Sequence, residues 1–259
     1  MIRLFNEMLL LLAVAALLWV FHLYSRLLPD SVLLIIWLIL TMTIASGLTW
    51  RARLRRRSFL TVYVTAQSPL QQFLRGGLLM ILSKALLALM LALLLMLVLI
   101  RSTQSSTWIL LMLAAPLLAV VRSSVQEAFK NHVNPGYLPE FSLRLSLMLL
   151  GMPVLVLLIY LSMLSRYPDF TAVSLERAVW HLVEQEQARS NTLLTGLQIA
   201  AATDALRLWL AQQLLPALGL PLFQWLGWLL VLVREALFVW SYLLVCQGVL
   251  LGVNRHVRS

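Results

Sequence analysis

Charge and cysteine are both scarce in this 259-residue chain. Asp, Glu, Lys and Arg make up 12% of it, and 61% is hydrophobic. A soluble domain carries about 25% charged and about 45–50% apolar residues. So much apolar surface has no core to hide in at this length, which excludes an ordinary soluble domain. The single cysteine, Cys246, rules out an intrachain disulfide and leaves the compartment unread. Ten acids are present, and Glu235 is the only one inside a long apolar run. Intramembrane hydrolysis by two acids, or by a paired nucleophile and base, therefore finds no set of residues to use. His22, His132, His181 and His256 are scattered, so no metal cluster is expected. Phosphate loop, dinucleotide fingerprint and HExxH are all missing, and the halves show no repeat of the kind many transporters carry. No enzyme activity and no cofactor are expected.

What is present is a series of apolar runs. They predict an all-α, polytopic transmembrane bundle of one integral membrane domain, with six spans. These lie near Met8–Leu28, Val32–Trp50, Gly77–Ile100, Trp108–Val121, Leu145–Leu164 and Leu222–Leu251. The first imitates a signal peptide, but a second span follows closely and no small-x-small site intervenes. A retained first helix is the expectation. The fourth run is short and contains Pro116, so it should borrow length from its flanks and kink.

The net charge of +10 is read by side of the membrane. A cytoplasmic N-terminus places twelve basic residues against Glu7, Glu127 and Glu140 on that side, and six against six acids on the other. This predicts a bacterial inner membrane location with both termini cytoplasmic. The densest basic stretch, Arg51, Arg53, Arg55, Arg56 and Arg57, follows span two. It reads as an anchor on anionic lipid headgroups, with docking of a protein partner as the sharper alternative. Nucleic acid is not expected, because no aromatic residue interrupts the run. Trp50, Trp108, Trp225 and Trp228 fall at expected interfaces.

The last run is the one around which the rest is organised. Residues seven apart lie nearly above one another on a helix, which stacks Gly227, Arg234, Ser241 and Gly248 on one stripe. Glu235 shares the neighbouring stripe with Gln224 and Tyr242. A charge at hydrocarbon depth costs several kcal/mol unless it faces protein or water, so Arg234 and Glu235 are expected mid-span and turned into the bundle. Gly227, Gly248 and Gly252 admit close helix packing, and GxxxG at Gly248–Gly252 hints weakly at a homo-oligomer. Ala85, Ala88 and Ala92 give span three a small-residue face suited to that stripe. Lys84, two turns inside the same span, is expected to snorkel to headgroups, with a pore or Glu235-pairing role as the alternative.

Between spans, Ser68-Pro69 reads as a helix start, with a bend at Gly76-Gly77. Asn134-Pro135-Gly136 reads as a turn in an elbow suited to a soluble partner. From Ser165 to Pro221, two amphipathic helices, or one bent near Ser190–Gly196, are predicted on the outer leaflet, with Ser174 able to cap the first. The competing reading sends Leu193–Leu215 into the bilayer, against which Asp204, Arg207, Gln212 and Gln213 argue. Together these features lead to a non-catalytic membrane subunit of a transport, secretion, conjugation or defence assembly. A channel or carrier lined by Arg234 and Glu235 is the alternative, and a lipid-acting enzyme using Glu235 is third.

Overall fold

Eight α-helices, with no strand among the described residues, make up the computed structural model, which describes residues 2–63, 78–102, 104–164, 168–171, 173–214 and 221–256. The helices are α1 (Ile2–Tyr24), α2 (Asp30–Tyr63), α3 (Leu78–Arg101), α4 (Ser105–Phe129), α5 (Leu138–Leu164), α6 (Leu175–Val183), α7 (Asn191–Trp209) and α8 (Pro221–His256). Six of them, all but α6 and α7, are long and apolar enough to cross a membrane. The chain is a multi-pass membrane protein by that measure. The fourth span does draw length from both flanks, with Pro116 inside it. The Ser68–Pro69 helix start and the Gly76–Gly77 bend lie outside the described residues.

Short links turn the chain back at each end of the bundle. After α1, a 3-10 turn over Ser25–Leu27 leads to Leu28, which is extended at φ −72° and ψ 144°. Pro29 imposes that geometry on its predecessor and then opens α2, its carbonyl accepting from Val32 N at 3.1 Å. At the other end, Asn134 Oδ1 accepts from Gly136 N at 3.0 Å, an Asx turn that carries the elbow between α4 and α5. The rings of Phe129 and Phe141 close this corner edge to face.

Lipid offers no hydrophobic drive for helices to associate, so the packing rests on shape and on polar contacts. α2 lies along α3, and α4 lies along both α1 and α5, while α8 touches all five other spans. Its crossing stretch, Leu232–Gly252, is 72% buried against 22–44% for the others, so α8 is the axis of the bundle. Its core face carries Phe238, Tyr242, Leu243, Cys246 and Leu250. The outward faces of the remaining helices, such as Leu79, Leu82, Leu86 and Met90 on α3, are exposed apolar residues, as lipid contact requires.

α6 and α7 cap one end of the bundle. The segment forms two helices parted at residues 184–190, and not one bent near Ser190–Gly196; Ser190 Oγ accepts from Leu193 N at 3.0 Å to start the second. Ser174 precedes α6, but its side chain makes no cap bond, contrary to expectation. α7 buries Leu193, Leu197, Ala201 and Ala205, with Leu193 and Leu197 against Phe21, Leu33, Met96 and Ile100 near the ends of α1, α2 and α3. It therefore lies across the bundle end and is not a seventh crossing. Gln212 and Gln213, in a π-helical turn after α7, hold the loop before α6. Gln212 Oε1 accepts from Phe170 N at 2.7 Å, and Gln213 Nε2 donates to Val173 O at 2.8 Å.

Candidate functional site

The polar residues of α8 were expected to meet partners from neighbouring helices, and the strongest partner comes from the cap. Asp204 of α7 takes Arg101 from the end of α3, Arg207 one turn along α7 at 3.7 Å, and Arg234 of α8 at 3.4 Å. Arg101 Nε also donates to Glu186 Oε1 at 2.8 Å, and Arg26 reaches Glu186 Oε2 at 3.4 Å. Arg234 Nη1 donates to Glu235 Oε1 at 3.1 Å. Among the described residues, four guanidinium groups thus share three carboxylates. Arginine suits such sharing because its planar fork presents several donors at once.

This geometry corrects the expected depth of Arg234 and Glu235. A carboxylate held at once by Arg101 and Arg234 sets the two arginines at one height, and Arg101 is the last residue of α3. The pair lies at the capped end of the bundle and away from its middle. The inward orientation does hold for Glu235, which is 7% exposed. Its desolvation is offset by the adjacent guanidinium within the same partly buried cluster.

Further along α8, Ser241 and Tyr242 are fully buried. Ser241 Oγ donates back to Leu237 O at 2.6 Å, satisfying itself within its own helix. Tyr242 Oη donates to Leu111 O of α4 at 2.7 Å, in the turn preceding Pro116. A proline removes one backbone donor and opens the helix there, and a neighbouring hydroxyl is one means of satisfying carbonyls in that stretch.

Gly248 answers which surface the glycine stripe serves. A Cβ at this position would sit 2.8 Å from Thr43 Cγ2 and 2.9 Å from Thr43 C, with Thr43 O nearer still. Gly47 packs against the same glycine. The stripe therefore meets α2 of its own chain. On α3, Ala88 and Ala92 are buried in the same core as the inner face of α8, and Ala85 is half-buried. Gly252 has open space before it. The side-chain surroundings of Gln224 and Gly227 lie outside the described residues.

Lys84 sits near the start of α3, seventeen residues or about 26 Å from Arg101 along that helix. It is half-buried and cannot reach Glu235 at the other end of the bundle. Arg51 is half-buried and Arg53 exposed; Arg55, Arg56 and Arg57 continue α2, with side chains outside the described set. Trp108, expected at an interface, is 6% exposed and stacks obliquely on His22 while its Nε1 donates to Ser102 O at 3.2 Å.

In the sequence Asp204 argued only against a crossing, and Arg101, Glu186 and Arg26 counted only among the outer charges; the cap gathers all four. Their only signal was the equal number of acids and bases on that side. A second buried pair, Arg122 of α4 and Glu7 of α1 at 3.6 Å, lies at the opposite end and carried no signal at all. Gln247 is wholly buried, and neither amide atom is hydrogen-bonded within the described chain. Among the described residues no group of His, Cys, Asp and Glu is arranged to hold a metal ion. No family model, curated protein or solved structure matches this chain.

Proposed function

We propose that the chain is a non-catalytic subunit of a larger membrane assembly, of the transport, secretion, conjugation or defence kind. One observation carries the reading: the ionisable groups of the axial helix are engaged inside the chain, Arg234 with Asp204 and Glu235. A carrier or channel uses such groups to face a path, and a lipid-acting enzyme needs a carboxylate free to take a proton. Here they join the cap to the bundle. The compact loops and the arginine-rich end support an inner-membrane seat with both termini cytoplasmic.

Affinity purification in mild detergent tests this directly. A subunit brings stoichiometric membrane or peripheral partners, and the isolated chain in liposomes passes no ion or solute above empty vesicles. Flux altered by Arg234→Ala or Glu235→Gln would replace this reading with a carrier. An altered lipid profile that Glu235→Gln abolishes would replace it with an enzyme.

A further inference from the structure

α2 remains one helix through Tyr63, ten residues past Arg53, where its membrane-crossing stretch ends. Its register divides the arginine run in two. Eighteen residues are five turns at 3.6 residues per turn, so positions eighteen apart face the same way, about 27 Å apart. Arg53, Arg56 and Arg57 stand eighteen residues beyond Ile35, Leu38 and Ile39, which are 54%, 41% and 58% exposed on the lipid-facing side of α2. Arg51 and Arg55 stand eighteen beyond Leu33 and Trp37. Leu33 is 4% exposed, and Trp37 Nε1 donates to Leu89 O of α3. Arg51 and Arg55 therefore follow the face packed in the bundle, while Arg53, Arg56 and Arg57 follow the face that touches acyl chains.

We propose that Arg53, Arg56 and Arg57 form a binding site for the phosphate headgroup of an anionic phospholipid whose acyl chains lie along the half of that face nearest them, from Met42 to Arg53. The separation of about 27 Å from Ile35 to Arg53 brings these positions to the far edge of a hydrocarbon layer about 30 Å thick. Arginine at such a height suits headgroup phosphate, which a guanidinium can bind bidentately. The run from Arg51 to Tyr63 contains no acid to compete for them. A docking face for a protein helix would gather the charges away from the lipid side, and the register does the reverse. The proposal is independent of the subunit reading.

The test is native mass spectrometry of the full chain released from nanodiscs of phosphatidylcholine and phosphatidylglycerol in equal parts. The expected result is retention of phosphatidylglycerol over phosphatidylcholine. R53Q/R56Q/R57Q should lower that preference by roughly a hundredfold, at about fivefold per arginine. R51Q/R55Q should leave most of it, and R53K/R56K/R57K should keep a part if the glutamine variant fails to fold. No enrichment in the unaltered chain would overturn the proposal, as would equal loss in the R51Q/R55Q variant. Displacement of the lipid by inorganic phosphate alone would show a free-phosphate site and overturn the lipid assignment. Capture of an acidic protein without any anionic-lipid preference would likewise overturn it.

Discussion

Asp204 and Arg234 meet at 3.4 Å across the junction of α7 and α8, and the same carboxylate oxygen also accepts from Arg101. One side chain of an interfacial helix thereby ties the axial helix to the end of α3. The capped end adds this shared carboxylate to the apolar packing of Leu193 and Leu197.

Replacing Asp204 by Asn should leave three arginines without their shared anion. The side chains are 11–29% exposed, so solvent reduces the penalty of a fully buried break. A loss of roughly 1–3 kcal/mol is expected. Hydrogen exchange should rise in α7 before it rises in α8. Equal protection of α7 in the variant and the parent would contradict the tie.

Gly248→Ala should be severely destabilising, and Gly252→Ala close to neutral. The added methyl at 248 meets Thr43 backbone, which cannot swing aside as a side chain would, whereas 252 faces open space. Overpacking of this kind costs about 1–3 kcal/mol and sometimes more. Thermal unfolding in one detergent separates the two variants. A larger effect at Gly252, or a change of oligomeric state with either, would mean the glycines serve a second copy.

Tyr242→Phe removes the hydroxyl that Leu111 O accepts and leaves a buried carbonyl with one partner fewer. The expected loss is about 1–2 kcal/mol. Infrared bands of labelled Leu111 carbonyl should shift to higher frequency in the variant. An unshifted band would show that the carbonyl finds its partner elsewhere.

Glu7 and Arg122 should behave as a pair. Arg122→Gln and Glu7→Gln each remove this contact and should each cost about 1–3 kcal/mol, while the double variant should cost less than their sum. A double-mutant cycle with no coupling would dissolve the pair.

Gln247→Leu should raise stability in the isolated chain by about 1–2 kcal/mol. It exchanges a buried amide without a hydrogen bond for an apolar group of similar size. A fall in melting temperature on this change would mean the amide has a partner that the substitution removes.

The six crossings, the two-helix cap and the elbow turn were all legible in the chain, because each is a local consequence of pattern. Twenty apolar residues have to span or be buried, Asn-Pro-Gly has to turn, and an apolar stripe alternating with charge has to form an amphipathic helix, although the cap that starts the second, Ser190, was not singled out. The face of Glu235 was legible for the same reason, since helical periodicity names the stripe. Its height was not. Counting along Leu222–Leu251 set Arg234 mid-span, because depth depends on where a helix enters the bundle, and only Asp204 and Arg101 disclose that.

By itself the sequence determined that this chain lives in a membrane as helices, since the hydrophobic surplus and the backbone's need for internal hydrogen bonds admit no other arrangement for it. Only the tertiary structure decided which residues meet. Gly248 lies on Thr43, Asp204 on Arg101 and Arg234, and Glu7 on Arg122, although each pair is far apart in the chain. Such contacts are set by the depth of whole helices and by which helix is the neighbour, on both of which residue periodicity is silent.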